Sequence, residues 1–397
     1  MYVKTLRLFN FRNYRDVTVE LDSDTVVFYG QNAQGKTNLL EAIYLCSCLR
    51  SHRTYRDSDL ITHGESEYSV GLDFIETAED NTEYSGFNEN ISVAYFDTVS
   101  KDASRMKPKR VLKHNGMLLS KTQDIVGIFN AVIFAPEDLN IIKDGPSIRR
   151  RYIDMLISQI KPSYFNELSI YQKTLLQRNS QLKRMRDGLV TSDHYNIEVW
   201  DMALASSAAK IIMTRNDFSI KINKHASNHH LIMSSGKEEL NVKYRSVAGI
   251  STEDGYEEIQ QSIYNKLKGN FNEDVERGST THGPHRDDLD ISINNESIRS
   301  YASQGQQRTA VLSLKIAELE IIATETRSMP VLLLDDVMSE LDQTRRKQLL
   351  SAIGRAQVIL TCTDASHVEP ELISMDGGRK IRYFEVSDGT ISPSDMV

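Results

Sequence analysis

Three short stretches of this chain carry residues suited to phosphate chemistry. The first, Gly30-Gln31-Asn32-Ala33-Gln34-Gly35-Lys36-Thr37, ends in a lysine and a hydroxyl. Its glycines let backbone N–H groups turn inward toward an anion, at the positive end of a following helix. In such a loop Lys36 reaches the β- and γ-phosphates of a nucleotide and Thr37 ligates magnesium, so Gly30 to Asn38 is the expected binding stretch. The second is the apolar run Val331-Leu332-Leu333-Leu334, which ends in Asp335-Asp336. At the carboxyl end of a buried strand, Asp335 would hold Mg2+ opposite Thr37, directly or through water. Asp336 either orients and deprotonates the attacking water or serves as an outer acid beside Asp335. The catalytic candidates are therefore Lys36, Asp335 and Asp336, and the metal ligands Thr37 and Asp335. The third stretch, Ser303-Gln304-Gly305-Gln306-Gln307-Arg308, starts 32 residues before Asp335. A serine hydroxyl, a glycine backbone and a helix N-terminus make a second anion site from Ser303, Gly305 and Gln306. Taken alone, the same pattern is also a helix-capping turn.

These stretches need strands and helices to position them. Residues 2–9 and roughly 15–30 read as strands, the second entering Gly30 through Val26-Val27-Phe28-Tyr29. Lys36 to Leu49 reads as a helix, which gives the strand, glycine loop and helix order that a phosphate loop requires. Short strands, Ile91–Phe96 among them, are expected between 67 and 115. Pro146 and Ser147 start a helical region, with Tyr164, Leu168, Tyr171 and Leu175 at helical spacing and a further helix over 196–225. These helices are too short and irregular for sustained heptads. Strands follow near 229–247, a helix near 255–269, and a hairpin of Leu289–Ile293 with Ser297–Tyr301 through Asn294-Asn295. After a helix marked by Leu312, Ile316, Leu319 and Ala323, Val331–Leu334 and Val358–Leu360 read as buried strands flanking a helix over Arg345–Ile353. Continuous apolar strands separated by helices imply an α/β fold with a parallel sheet covered on both faces. The simplest architecture joins 1–140, holding the phosphate loop and a β-rich region, to 291–397 as one head. Residues 141–290 are then an inserted, mostly helical lid.

At 397 residues the chain fits about two or three domains. Its 40% hydrophobic and 26% charged residues are those of an ordinary soluble globular protein, which excludes a disordered or fibrous class. No apolar run is long enough to span a bilayer, and the N-terminus lacks the apolar core of a signal peptide, so no membrane role is expected. Three cysteines (Cys46, Cys48 and Cys362) fit a reduced, cytoplasmic chain. A net charge of −8 excludes indiscriminate coating of nucleic acid. Basic residues nevertheless concentrate locally: seven against one acid over 101–121, and five against none over 173–186. Lys107, Lys109 and Arg110 in the first stretch and Lys183 and Arg184 in the second are candidate DNA-phosphate contacts, with Arg149–Arg151 a further basic run. The same stretches also suit solvated surfaces with no ligand. His282, His285, Asp287 and Asp288 are a weak metal pattern and a better structural or hinge element.

The order of phosphate loop, Ser-x-Gly-x-Gln, acidic strand and Ser339-Glu340-Leu341-Asp342 resembles that of ABC-type ATPases. Over essentially its whole length the chain resembles the RecF family of bacterial recombination and repair ATPases, related to the heads of SMC-type chromosome proteins. Phe11-Arg12-Asn13-Tyr14, the phosphate loop through Asn38-Leu39-Leu40-Glu41-Ala42, Phe134–Leu139, Thr281–Asp288, Ser303–Arg308 and Leu334–Asp342 carry the likeness. The resemblance implies an ABC-type head that binds ATP and Mg2+. Arg12 matches a nucleotide-contacting position, and Glu137 stands near the place where transporter ATPases carry a glutamine. Ser303 and its neighbours would close on the γ-phosphate held by a second copy, which implies an ATP-dependent homodimer. Ser339–Asp342 matches the D-loop at that interface. Asp336 replaces the usual glutamate and Thr363 the usual switch histidine, so hydrolysis should be slow and ATP a binding switch. By the same resemblance the protein binds DNA at single-strand gaps or single-strand/double-strand junctions and works with RecO and RecR to help RecA load, as part of replication, recombination and the SOS response to DNA damage. A transporter motor would have its two motifs closer together, and an SMC-like tether needs long heptad arms. A P-loop small-molecule kinase has no use for Ser-x-Gly-x-Gln.

Overall fold

The computed structural model describes residues 1–54, 56–76, 87–97, 109–246, 249–251, 254–365 and 379–394. The chain separates into two compact units, Met1–Leu139 with Val311–Val397, and Asn140–Ala310. The first unit opens with strands β1 (Tyr2–Phe11), β2 (Tyr14–Glu20) and β3 (Thr25–Tyr29), then helix α1 (Lys36–Cys48). The stretch read as one strand over 15–30 is thus two, broken at Asp22-Ser23-Asp24. Strands β4 (Glu67–Ile75), β5 (Asn88–Phe96), β6 (Lys109–His114), β7 (Met117–Leu118) and β8 (Ala131–Phe134) follow. An antiparallel sheet runs β2-β1-β4-β5-β6-β7. Tyr68, Val70, Leu72 and Phe74 alternate inward along β4, the period-two pattern of a sheet with one face on the core.

The second unit contains α2 (Asn140–Lys143), α3 (Pro146–Ile160), α4 (Pro162–Arg186), α5 (Glu198–Met233), strand β9 (Leu240–Arg245), α6 (Tyr256–Gly269), α7 (Phe271–Arg277), strands β10 (Asp288–Ile293) and β11 (Glu296–Ser297), and α8 (Ile298–Tyr301). Pro146 and Pro162 both open their helices, where a missing N–H costs nothing. At 36 residues α5 is longer than the sequence pattern suggests. It runs through the segment read as the start of a strand, because Ala226, His229, His230 and Met233 keep helical spacing and are buried. Only Leu240–Arg245 is extended there. Asn294 and Asn295 both take positive φ, as a tight hairpin turn demands. The returning strand is two residues long, however, and Ile298–Tyr301 turns into helix where a strand was expected.

Helix α9 (Gln304–Thr326) carries the chain back to the first unit, where β12 (Val331–Asp335), α10 (Val337–Glu340), α11 (Gln343–Ile353), β13 (Val358–Cys362), β14 (Ile381–Ser387) and β15 (Thr390–Ser394) complete it. These form a second sheet in the order β15-β14-β3-β13-β12-β8, parallel except for the β14–β15 hairpin. β12 and β13 are buried end to end, which is why they read as unbroken apolar runs. Helix α1 packs against strands of both sheets, and Leu39, Leu40, Ala42 and Ile43 are fully buried between them. The sheet's carboxyl edge therefore presents the ends of β3 and β12 beside the start of α1. Among the described residues no helix is long and apolar enough to cross a membrane.

Candidate nucleotide site

Two glycines shape the loop between β3 and α1, and neither can be replaced without strain. Gly30 has φ +147° and a Cβ there would strike the Val386 carbonyl oxygen; Gly35 has φ +111° and a Cβ would meet Asn13 and the Tyr14 hydroxyl. Tyr14 donates from its hydroxyl to the Gly35 carbonyl at 3.0 Å, and Asn13 donates to the Gln34 carbonyl at 3.0 Å. Gln34 in turn accepts from the Asp388 N–H at 2.7 Å. The loop is thus braced by β2 on one side and the β14–β15 turn on the other. Ala33 adds a positive φ of 67°. Lys36 folds over the loop and donates to the Gly30 and Gln31 carbonyls at 2.6 and 2.7 Å.

Thr37 donates to Asp335 Oδ1 at 2.9 Å, joining loop and acidic strand across 298 residues of sequence. Thr361, the register partner of Asp335 on β13, donates to the same oxygen at 2.8 Å. Asp336 leaves the strand with φ 52° and ψ 18°, a left-handed turn that aspartate tolerates, and starts α10. Its N–H meets Thr361 Oγ1 at 3.0 Å. Burial raises the Asp335 carboxyl above the usual range, while Thr361 and Thr37 pull it down, Glu137 pushes up and Arg53 pulls down. Burial also lowers the Lys36 ammonium, opposed by Asp336, Cys362 and Asp335. Cys362 itself is pushed up to about 12, mainly by burial, and so is a neutral thiol. The site brings a lysine, two hydroxyls and two carboxylates together in low dielectric. Its oxygen donors, Thr37 and Asp335, suit a hard divalent cation, which would relieve the cost of the buried carboxylate.

Arg12 points elsewhere: it donates to both oxygens of buried Glu41 at 2.8 Å each and to the Asp59 carbonyl at 2.7 Å. Burial raises the Glu41 carboxyl, but hydrogen bonds from Arg12 and Ser51 outweigh it and hold it below its ordinary value. Arg53 lies 3.8 Å from both Glu41 and Glu137 and donates to Asn38 at 3.1 Å, with Asn38 donating to Asn13 at 2.8 Å. Glu137, on the turn Pro136–Leu139, is exposed and reaches Asp335 electrostatically. Tyr14, Arg53 and Thr361 were not singled out from sequence. Tyr14 belongs to the Phe11-Arg12-Asn13-Tyr14 stretch, and Thr361 is identifiable only by strand register. Thr363, at the place of the usual switch histidine, is exposed.

Ser303, Gly305 and Gln306 open α9 in a reciprocal cap. The Ser303 hydroxyl accepts from the Gln306 N–H at 3.3 Å, and Gln306 Oε1 accepts from the Ser303 N–H at 2.7 Å. The capping reading and the anion-site reading thus describe one turn, since a hydroxyl that accepts can still donate.

The basic stretches divide sharply. Lys107 lies outside the described residues. Lys109, Lys183 and Arg184 are exposed, whereas Arg110 is paired with Asp57 at 2.5 Å. Arg178 is wholly buried, donating to Asp201 at 2.5 Å and to Asp274 at 2.6 Å. Arg149 forms a buried pair with Asp288 at 2.7 Å, and Arg150 donates to the Asp287 carbonyl at 2.7 Å. Arg178 and Arg149 are therefore interior ions and not surface contacts. In the Thr281–Asp288 stretch, His285 sits between the Tyr171 hydroxyl at 2.6 Å and the Thr280 carbonyl at 3.1 Å, and burial lowers it to about 4. Asp287 accepts from Tyr244 and Asp288 from Arg149. This stretch holds the second unit's core together.

The family model described as RecF/RecN/SMC N terminal domain matches residues 2–376. A relative in Ruminiclostridium cellulolyticum, the DNA replication and repair protein RecF, is 42% identical over 98% of this chain and 99% of its own. The protein of that name in Acetivibrio thermocellus is 41% identical over 92% and 94%. A solved structure described as the recombination mediator protein RecF-ATP in the RecFOR pathway superposes with a TM-score of 0.86 at 37% identity, covering 99% of this chain and 97% of that one. The Smc head domain of Pyrococcus furiosus shares the fold at a TM-score of 0.51 and 17% identity.

Proposed function

The chain belongs to the RecF family, within the wider group of RecF, RecN and SMC heads, and on that premise we propose that it is an ATP-switched DNA-binding protein of recombinational repair. The observation that carries this reading is the Thr37–Asp335 hydrogen bond, which closes phosphate loop and acidic strand into one site. The inward-turned loop and Lys36 bind the nucleotide's phosphates, and Thr37 and Asp335 would hold Mg2+. Bound magnesium supplies positive charge to the β- and γ-phosphate oxygens. Asp336, turned off the strand by its left-handed backbone, positions the attacking water. Arg12 acts on this site through Glu41 and the start of α1, and Glu137 through the field it exerts on Asp335.

Ser303, Gly305 and Gln306 close on the γ-phosphate held by a second copy, so that two nucleotides are shared across a symmetric dimer. Aspartate at 336 and the absence of a histidine at 363 make turnover slow, and ATP binding rather than hydrolysis drives DNA engagement. Exposed Lys109, Lys183 and Arg184 offer backbone contacts, together with Lys107; Arg110 joins them by exchanging Asp57 for phosphate. A gap or single-strand/double-strand junction is the proposed DNA, with RecR and RecO as partners and RecA loading as the outcome, in keeping with the RecFOR setting of the solved relative. The deciding experiment compares binding to gapped and intact duplex DNA, with and without ATP, for the wild type and Lys36→Met. ATP-dependent preference for the gap that vanishes in the variant is expected. Equal binding in every condition would overturn the switch.

A further inference from the structure

We infer that Glu238 is a positioning residue for the Ser303–Gln306 turn, an assignment that rests on the proposed role of that turn in dimer closure. Glu238 lies between α5 and β9, where its N–H is tethered to Ser234 Oγ at 3.2 Å. Its carboxylate spans two groups. Oε2 faces His230 Nε2 at 3.1 Å, and Oε1 accepts from Gln306 Nε2 at 2.9 Å. His230 is completely buried in α5, so the acid is anchored to the unit's interior.

An ionised carboxylate only accepts, which fixes which end of the Gln306 amide faces it. The amide nitrogen turns to Glu238 and Oε1 turns to the Ser303 N–H at 2.7 Å. The acid therefore anchors the nitrogen end of the Gln306 amide while the Ser303 N–H holds its oxygen end, and Gln306 closes the cap that orients Ser303. The amide nitrogen keeps a second N–H, and the Ser303 hydroxyl its proton, for an incoming anion. Without Glu238 the amide nitrogen loses its anchor, and the Gln306 side chain is held only by the Ser303 N–H. Nothing in the phosphate loop depends on this linkage, so the two halves of a composite site separate experimentally.

The test uses full-length protein with Mg-ATP and reads three quantities: binding of a fluorescent ATP analogue, self-association by sedimentation, and Tm. Glu238→Ala should bind the analogue as the wild type does and keep its Tm, but associate about tenfold more weakly, as expected for loss of a charge-assisted hydrogen bond. Glu238→Gln retains an acceptor and should recover most of the association. Wild-type association in Glu238→Ala would overturn the assignment, as would a fall in Tm of matching size or no recovery in Glu238→Gln. Ser303→Arg serves as the control for the underlying reading. If it too associates normally with ATP, the dimer-closure role of the turn falls; if it alone fails to associate, only the Glu238 assignment falls.

Discussion

Charge is handled in opposite ways by the two units. At the carboxyl edge of the parallel sheet, Lys36 donates its hydrogen bonds to backbone carbonyls, and Asp335 accepts its own from two threonine hydroxyls. Among the described residues no ion pair joins Lys36 to Asp335, and burial shifts both away from their charged forms. In the second unit Arg178, Arg215 and Arg149 are each clamped by carboxylates at 2.5–2.9 Å, deep in the core. The first arrangement is expensive unless a ligand completes it, whereas in the second each arginine already has its counter-charge beside it. Perturbed charge marks a site only when its partners are left to a ligand.

Breaking the completed pattern should have the largest effect. Arg178→Met leaves Asp201 and Asp274 buried without their cation and should destabilise the second unit by about 3–5 kcal/mol, measured by chemical denaturation. A change under about 1 kcal/mol would mean that this cluster adds little to the unit's stability. Breaking the open pattern should do the reverse: Lys36→Met should lower ATP turnover by about 10²–10³-fold, as removal of one preorganised charge-stabilising donor does, while Tm hardly moves. A large loss of Tm would place Lys36 among the structural ions.

Arg12 sharpens the contrast, because it lies near the nucleotide loop, half-buried, yet its charge is already matched by Glu41. Arg12→Ala should cost about 2–3 kcal/mol at neutral pH, the worth of hydrogen bonds to a charged group. Glu41 is held below its ordinary value, so its contribution is present above the unfolded carboxylate range and lost as pH falls through the depressed folded value. The gap between wild type and variant should therefore narrow in acid. A gap that is constant with pH would mean that the Glu41 charge does not carry the effect. Smallest is the DNA effect: replacing Lys109 by Gln should reduce the slope of log affinity against log salt by about 1 unit. An unchanged slope would remove that sheet edge from the DNA surface.

The phosphate loop was readable because its information is local: glycines, lysine and threonine at fixed offsets, after an apolar strand. Thr361 was not, since its bond to Asp335 follows from the parallel register of β12 on β13, which no spacing encodes. Arg178 was visible as charge within a basic stretch, but its burial depends on Asp201 and Asp274 arriving from α5 and α7. The segment near 229–247 reads as strand, and only the packing of α5 settles its first part, through Met233, as helix. Ser-x-Gly-x-Gln suggested either a cap or an anion site; its partner Glu238, 68 residues away, was beyond any local pattern.

The strand order of the parallel sheet bears on how the protein is made. β3, which leads into the phosphate loop, is flanked only by β13 and β14, and β8 is paired with β12. No strand from the first part of the chain finds a neighbour in that sheet until the last part has left the ribosome. Roughly 300 residues of synthesis, at about 5–20 residues per second, separate those events by about 15–60 s. Throughout that interval the nucleotide loop hangs on an unpaired apolar strand. An interrupted polypeptide that ends before β13 leaves β3 without either neighbour, so synthesis of a nucleotide-competent head is all or nothing.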